Sequence, residues 1–228
     1  MKSRFMFSAF LLTVVFVSIA HADEKWTSLF DGKTLKNWKA TNFGGEGDVT
    51  VEKGGEMHLD FGSSLSGVTH TGKVPTSNYE LELEAKRLDG VDFFCGLTFP
   101  VKKDHCSLIL GGWAGAVVGL SSIDGKDASE NATTQFINLK NEQWYHVRLR
   151  VTDNDIQVWL DKKRIISQSI VGKKITVRPE VELSRPLGIS TWETKSALRN
   201  IRIRTLSKEE QKGAKPDEKN PNKKKPAK

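Results

Sequence analysis

The chain has 228 residues and a formal net charge of +7, with six tryptophans and two cysteines. The surplus sits at the ends: Lys2 and Arg4 open the chain, and residues 207–228 hold eight lysines against four acids, which leaves the body at +1. A nearly neutral body excludes the clustered Lys/Arg face of a nucleic-acid-binding protein, and two cysteines without a neighbouring histidine cluster exclude a zinc site.

In chain order, the basic start leads into an apolar run over 5–20 and then Ala20-His21-Ala22, the pattern of an export signal over 1–22. The run is shorter than the roughly 20 apolar residues of a bilayer span. Cleavage before Asp23 is therefore expected, giving an exported, periplasmic or extracellular protein with no stable membrane insertion. Residues 29–38 are rich in turn formers. Met57, Leu59 and Phe61 alternate with polar residues, which predicts a short strand. Over 79–86, Tyr79, Leu81, Leu83 and Ala85 alternate with Glu80, Glu82, Glu84 and Lys86, the period-2 pattern of a half-buried strand.

Segments 91–99 and 106–110 predict a hairpin. Its first strand is expected to place Phe93, Cys95, Leu97 and Phe99 on one face, and its second Cys106, Leu108 and Leu110. The register decides whether the two sulfurs form a disulfide or remain buried thiols. A glycine-rich stretch over 111–119 follows, then a polar loop over 124–134. Asp124, Asp127 and Glu130 lie in that loop, but their spacing is not that of a calcium loop.

The clearest hairpin spans 144–161. Tyr145, Val147, Leu149 and Val151 alternate with Trp144, His146, Arg148 and Arg150, and beyond a turn Ile156, Val158 and Leu160 alternate with Gln157, Trp159 and Asp161. One face is core. The other carries aromatic, cationic and amide side chains, a mixture suited to a carbohydrate ligand, with Trp144 and Trp159 either facing each other as an exposed pair or covered by a loop. Further strands are expected over 164–170, 187–192 and 198–203. The Lys- and Pro-rich tail over 207–228 cannot bury enough apolar surface to fold. Short strands between turn signals, with weak helical periodicity, give one all-β domain over 26–206, an antiparallel two-sheet sandwich.

No Gly-x-Ser-x-Gly elbow, phosphate-binding loop or His-Glu-x-x-His occurs, which removes serine hydrolases of that type, NTPases and one zinc class. Trp113, behind two glycines, reads either as a sugar-stacking platform or as a core residue at a sheet bend. His146, Arg148 and Trp159 share the polar face of the late hairpin. His146 is a candidate acid/base there; Arg148 and Trp159 are candidate sugar contacts. No metal ligand set stands out.

The opening Leu29-Phe-Asp-Gly-Lys-Thr-Leu-Lys-Asn-Trp38, the strand Tyr79-Glu-Leu-Glu-Leu-Glu-Ala-Lys86, the Asn141-Glu-Gln-Trp144 entry and the closing Leu198-Arg-Asn-Ile-Arg-Ile203 together resemble the 3-keto-disaccharide hydrolase domain family. The resemblance covers roughly the whole body. It implies a concanavalin A-like jelly roll and hydrolysis of glycosides oxidised at C3. A ketone at C3 acidifies the hydrogen at C2, so a base can remove it, the glycosidic oxygen leaves, and water adds back. A divalent metal at the enolate is an option within that chemistry. Many members carry a Glu-x-Gln-x-x-Asp-like run where this chain has Cys106-Ser-Leu-Ile-Leu-Gly-Gly-Trp113, and Gln-x-His-Gly where it has Ser190-Thr-Trp-Glu193. The resemblance thus points to Glu193 as the leading catalytic carboxylate, with His146 as partner and Trp113 and Trp192 as stacking surfaces. The missing acids keep a rival reading open, a non-catalytic carbohydrate-binding or extracellular interaction module.

Overall fold

The computed structural model describes residues 25–211. The segment expected to be an export signal and most of the basic tail lie outside the described residues. Fifteen strands follow one another: β1 (Thr27–Ser28), β2 (Trp38–Ala40), β3 (Val49–Glu52), β4 (Glu56–Leu59), β5 (Leu65–His70), β6 (Tyr79–Gly90), β7 (Cys95–Val101), β8 (Asp104–Gly111), β9 (Val117–Ser121), β10 (Gln135–Phe136), β11 (Trp144–Val151), β12 (Asp155–Leu160), β13 (Lys163–Ser169), β14 (Gly188–Trp192) and β15 (Thr194–Thr205). They form two antiparallel sheets, one ordered β13-β12-β11-β6-β15-β4-β3 with β1 added on β15, the other β10-β9-β8-β7-β14-β5-β2. This is the two-sheet sandwich that the alternation predicts.

The core lies between the sheets. From the eight-stranded sheet, Leu81, Leu83, Val147, Leu149, Ile156 and Val158 point inward; from the seven-stranded sheet, Leu97, Phe99, Leu108, Leu110, Leu120 and Ile189 do so, and all twelve are buried. Each such side chain contributes about 1.5–3 kcal/mol on removal from water. The Tyr79 hydroxyl donates to the Pro100 carbonyl at 2.8 Å, so this buried phenol also ties β6 to the opposite sheet.

The register of β7 on β8 answers the cysteine question. Cys106 stands opposite Phe99 and Cys95 opposite Leu110, four residues apart along the ladder. At about 3.3 Å per residue that is roughly 13 Å, far beyond the Cα spacing of a disulfide. Both thiols are free and buried, and burial pushes each up to about 12.

The 91–99 segment departs from straight alternation. Strand β7 begins only at Cys95, and Phe94 donates its N–H to the Leu110 carbonyl at 3.3 Å while Cys95 is already the partner of Leu110. Two residues oppose one, as in a bulge, and the side-chain sequence shifts by one. Phe94 enters the core, whereas Phe93 packs against Ile109 and Val117 in a separate apolar cluster. The expectation that Phe93 shares a face with Cys95 is corrected on this point.

Candidate functional site

Residues of β5, β8, β9 and β14 that alternate with the core positions, Leu65, Ser107, Ile109, Ser121 and Trp192, line a cleft of about 240 Å³ over the seven-stranded sheet. Asp92, Phe93 and Trp113 line one side of it, and Arg178, Glu180 and Val181 the other. The latter belong to the segment around a 3₁₀ helix, Pro179–Ser184, which rests on the sheet where Thr69 Oγ1 donates to the Leu183 carbonyl at 3.1 Å.

Local backbone explains the first wall. The chain leaves β8 through Gly111 (φ 80°), Trp113 (φ 49°) and Ala114 (φ 62°), a left-handed turn that an L-residue adopts at a cost of about 1–3 kcal/mol each. Asp92 holds it. Its Oδ2 accepts the Ala114 N–H at 3.1 Å and its Oδ1 accepts the Phe93 N–H at 2.7 Å, while its own N–H donates to Thr194 Oγ1 at 3.1 Å. Trp113 is left 42% exposed at the rim, so it is not a core residue.

Small residues of the sheet lie beneath the neighbouring aromatic rings. Ser190 of β14 stands between Gly67 of β5 and Gly96 of β7 in the ladder. A Cβ on Gly96 would come within 2.9 Å of the Phe93 ring, and one on Gly67 within 2.6 Å of the Ile189 carbonyl oxygen and 3.2 Å of the Phe43 ring, so each glycine permits a close approach to the sheet. On the second wall, Arg178 bridges two acids, with Nη1 2.8 Å from Asp127 Oδ2 and Nη2 2.7 Å from Glu180 Oε1. The Arg178 hydrogen bond holds the Glu180 carboxyl below its usual range.

The expected site residues divide between two faces. Trp113 and Trp192 converge on the cleft. Glu193, one residue on, is exposed with φ 43° where β14 turns into β15, and it is not among the residues lining the cleft. His146, Arg148 and Trp159 lie on the outer face of the eight-stranded sheet, the far side of the sandwich. There the tryptophans are capped by cations. Arg148 stacks on Trp159 at 4.0 Å, and Trp144 packs against Arg199 at 4.0 Å and Lys86 at 4.8 Å. Arg148, not Trp144, is the ladder partner of Trp159, so the two tryptophans do not face each other.

The glutamates of β6 complete this face. Glu82 accepts from Arg202 Nη2 at 2.6 Å and lies 3.6 Å from His146 Nε2; Glu84 accepts from Arg199 Nε at 2.6 Å. A shallow hollow of about 510 Å³ remains around Trp26, Glu84, His146 and Arg202. Its acids are committed to arginines, and its aromatic faces are occupied.

Sequence reasoning missed Asp92, Phe93, Ile109, Arg178 and Glu180. Asp92 and Phe93 were hidden by an alternation read straight through the bulge. The 178–184 segment has no strand periodicity; its signal is Pro179 at the start of a turn rich in glutamate. No group of three or more His, Cys, Asp or Glu among the described residues converges to hold a metal ion. Asp124 pairs with Lys173 and Asp127 with Arg178, and each Asp92 oxygen accepts one backbone amide. No helix among the described residues is long and apolar enough to cross a membrane.

The fold has counterparts among solved structures. A Crh5 transglycosylase superposes with a TM-score of 0.57 at 12% identity, covering 82% of this chain and 85% of that one. A β-glucanase from Bacillus licheniformis gives 0.52 at 12% identity over 81% and 98%. A candidate glycosyl hydrolase from Parabacteroides distasonis gives 0.51 at 17% identity over 80% and 94%. At these identities the likeness shows the fold, a concanavalin A-like jelly roll. No curated protein matches the chain significantly. The model of the 3-keto-alpha-glucoside-1,2-lyase-like domain matches residues 25–204, nearly all of the described structure. The chain therefore belongs to that family, and its body is a glycosyl hydrolase-like, carbohydrate-active domain.

Proposed function

We propose that the cleft over the seven-stranded sheet binds a glucoside oxidised at C3 and promotes loss of its C1 substituent. The observation that carries this is the convergence of Trp113, Phe93 and Trp192 with Asp92 and Arg178 around one cleft in a chain of this family. Aromatic rings suit the apolar faces of a pyranose, and the hydroxyls of Ser107 and Ser121 can bond its edge.

In this reading a base removes the proton from C2, whose acidity comes from the C3 ketone. The electron pair forms the C1–C2 double bond as the C1–O bond breaks, and the departing oxygen takes a proton. Addition of water across the new double bond completes a hydrolysis. Asp92 takes the base role here in place of Glu193, the carboxylate to which the resemblance points, because each of its oxygens has a further lone pair beyond the backbone bond. Arg178 supplies positive charge for the enolate oxygen at C3.

Incubation with 3-keto-trehalose tests this by chromatography of the released sugar. Turnover that Asp92→Asn abolishes while binding persists supports the reading. No release from any 3-keto-glucoside, with or without added divalent cation, overturns it.

A second reading, binding without turnover, is favoured by one observation. The positions of β8 that face the cleft are Ser107 and Ile109, within the 106–113 stretch that lacks the acidic run the resemblance leads one to expect, and Asp92 is engaged in holding the Trp113 turn. That reading expects unoxidised glucosides to bind as well as oxidised ones, and Asp92→Asn to weaken both alike. Export completes the proposal: secreted protein should begin at Asp23 by mass spectrometry, and an intact Met1 start would contradict it.

A further inference from the structure

The inward set of β6 does not end with its apolar members. Tyr79, Leu81, Leu83 and Ala85 face the core, and two residues further along the same strand stands Arg87, only 4% exposed. Its guanidinium lies against the Phe94 ring at 5.4 Å, and Nη2 donates to the Leu139 carbonyl at 2.6 Å. Nε is buried without a hydrogen-bond partner, and Arg87 forms no ion pair among the described residues. A charge at a core position is costly unless an acid pairs with it. A neutral amide could donate equally well to one carbonyl, so what Arg87 adds here is its charge.

That charge abuts the turn that carries Trp113. A Cβ on Gly115 would come within 2.9 Å of Arg87 Nη1, so the glycine lets the backbone close over the cation. One residue earlier, the Ala114 N–H donates to Asp92 Oδ2 at 3.1 Å. The turn therefore meets a cation at Gly115 and an anion at Ala114. Burial pushes the Arg87 guanidinium below the ordinary arginine range, and Tyr145 and Asp92 are the acidic groups that act against this. Of the two, the Tyr145 hydroxyl oxygen accepts the Lys140 N–H at 2.7 Å, and Asp92 alone is a carboxylate. Resting on the glucoside reading above, we infer that Arg87 is a positioning residue for that reaction: its charge, acting through the turn, draws the Asp92 carboxylate onto the Ala114 and Phe93 N–H groups and so fixes both the base and the Trp113 ring. Arg87 then lowers the stability of the fold while raising its turnover.

Arg87→Met, of similar length but uncharged, and Arg87→Lys, shorter but charged, test this on the full chain. The readouts are turnover of 3-keto-trehalose, the thermal midpoint, and the Trp113 emission, taken as the difference between each protein and its Trp113→Phe counterpart. Arg87→Met should lower kcat/KM about tenfold or more, mainly through kcat, and shift the Trp113 emission. It should nevertheless melt no lower than wild type, because an unpaired buried charge has been removed. Arg87→Lys should keep the emission and stay within about threefold of wild-type turnover. An Arg87→Met variant that matches wild type in turnover and emission overturns the inference. So does one that melts several degrees lower while Arg87→Lys shares every loss, which makes Arg87 a structural donor to Leu139. Absence of turnover by wild type with any 3-keto-glucoside removes the glucoside reading, and emission and melting then decide by themselves whether the Arg87 charge holds the Trp113 turn.

Discussion

The Asp92 carboxylate accepts the Ala114 N–H at 3.1 Å across 22 residues of chain, and this contact sets where Trp113 stands. The left-handed backbone of Trp113 and Ala114 is unfavourable in isolation, so the turn requires an anchor. The same carboxylate holds the Phe93 N–H. One side chain therefore positions two aromatic members of the cleft.

Replacing Asp92 by Ala should accordingly cost stability and shape together. Charge-assisted bonds of this kind contribute about 1.5–3 kcal/mol each when buried, and less here because Asp92 is only half-buried. Asp92→Ala is expected to destabilise by about 1–3 kcal/mol in urea unfolding. It should also blue- or red-shift the Trp113 fluorescence, as judged against Trp113→Phe. An unchanged midpoint and spectrum would show that the turn stands without its anchor.

Gly96 offers the converse case, a change in shape with little change in fold. Its added Cβ would meet the ends of the Phe93 ring and the Ser190 hydroxyl, both at 2.9 Å, and both are side-chain atoms able to move. Gly96→Ala should thus shift the melting temperature by only a few degrees, a cost of about 1 kcal/mol, while lifting Phe93 and weakening ligand binding about tenfold or more. Thermal melts and calorimetry on one preparation check it. Full retention of affinity would remove Phe93 from the ligand surface.

The sandwich was legible because period-2 alternation survives wherever one sheet face is core, as in Tyr79–Ala85 and Tyr145–Val151. The cleft lining was partly legible. Trp113 and Trp192 could be singled out because glycines and a strand end mark them. Asp92 and Phe93 were not, because a single inserted residue inverts the faces without altering composition. His146, Arg148 and Trp159 lie on the opposite face of the sandwich from this cleft, and the sequence does not show that. A sheet face of alternating arginine, glutamate and tryptophan can satisfy itself by ion pairs and stacking, and nothing in one strand shows that its neighbour holds the partners. Arg202 for Glu82 and Arg199 for Trp144 come from β15, more than fifty residues further along the chain.

The cysteines make a simple prediction. The register separates them by four ladder positions, and burial pushes both thiols up to about 12. Two free thiols should appear with an aromatic disulfide reagent only after denaturation, and native protein should react more slowly by orders of magnitude. The intact mass should match the reduced form. A mass lower by two hydrogens, even in oxidised secreted material, would contradict the β7–β8 register.

The last described turn, Lys208–Gln211, carries a pH dependence whose sign can be derived. Arg204, at the end of β15, has a side chain only 4% exposed and lies between Glu80 and Glu210, with Nη2 2.7 Å from Glu210 Oε1 and Nε 2.8 Å from Glu80 Oε2. Its hydrogen bonds to Glu210 pull that carboxyl from an ordinary 4.5 down to about 2. Between those values the unfolded chain binds the proton and the folded one does not, so protonation favours unfolding. The contribution is complete above about pH 4.5 and lost as pH falls toward 2. Glu210→Gln lacks this carboxyl and should be less stable than wild type at pH 6, with the gap closing between pH 4.5 and 2. Urea unfolding at pH 6, 4 and 2.5 reads the difference. A gap that stays constant over that range would mean the Arg204–Glu210 pair does not hold the Lys208–Gln211 turn against the sheet, because a pair that stabilises the fold must disappear when its carboxylate is protonated.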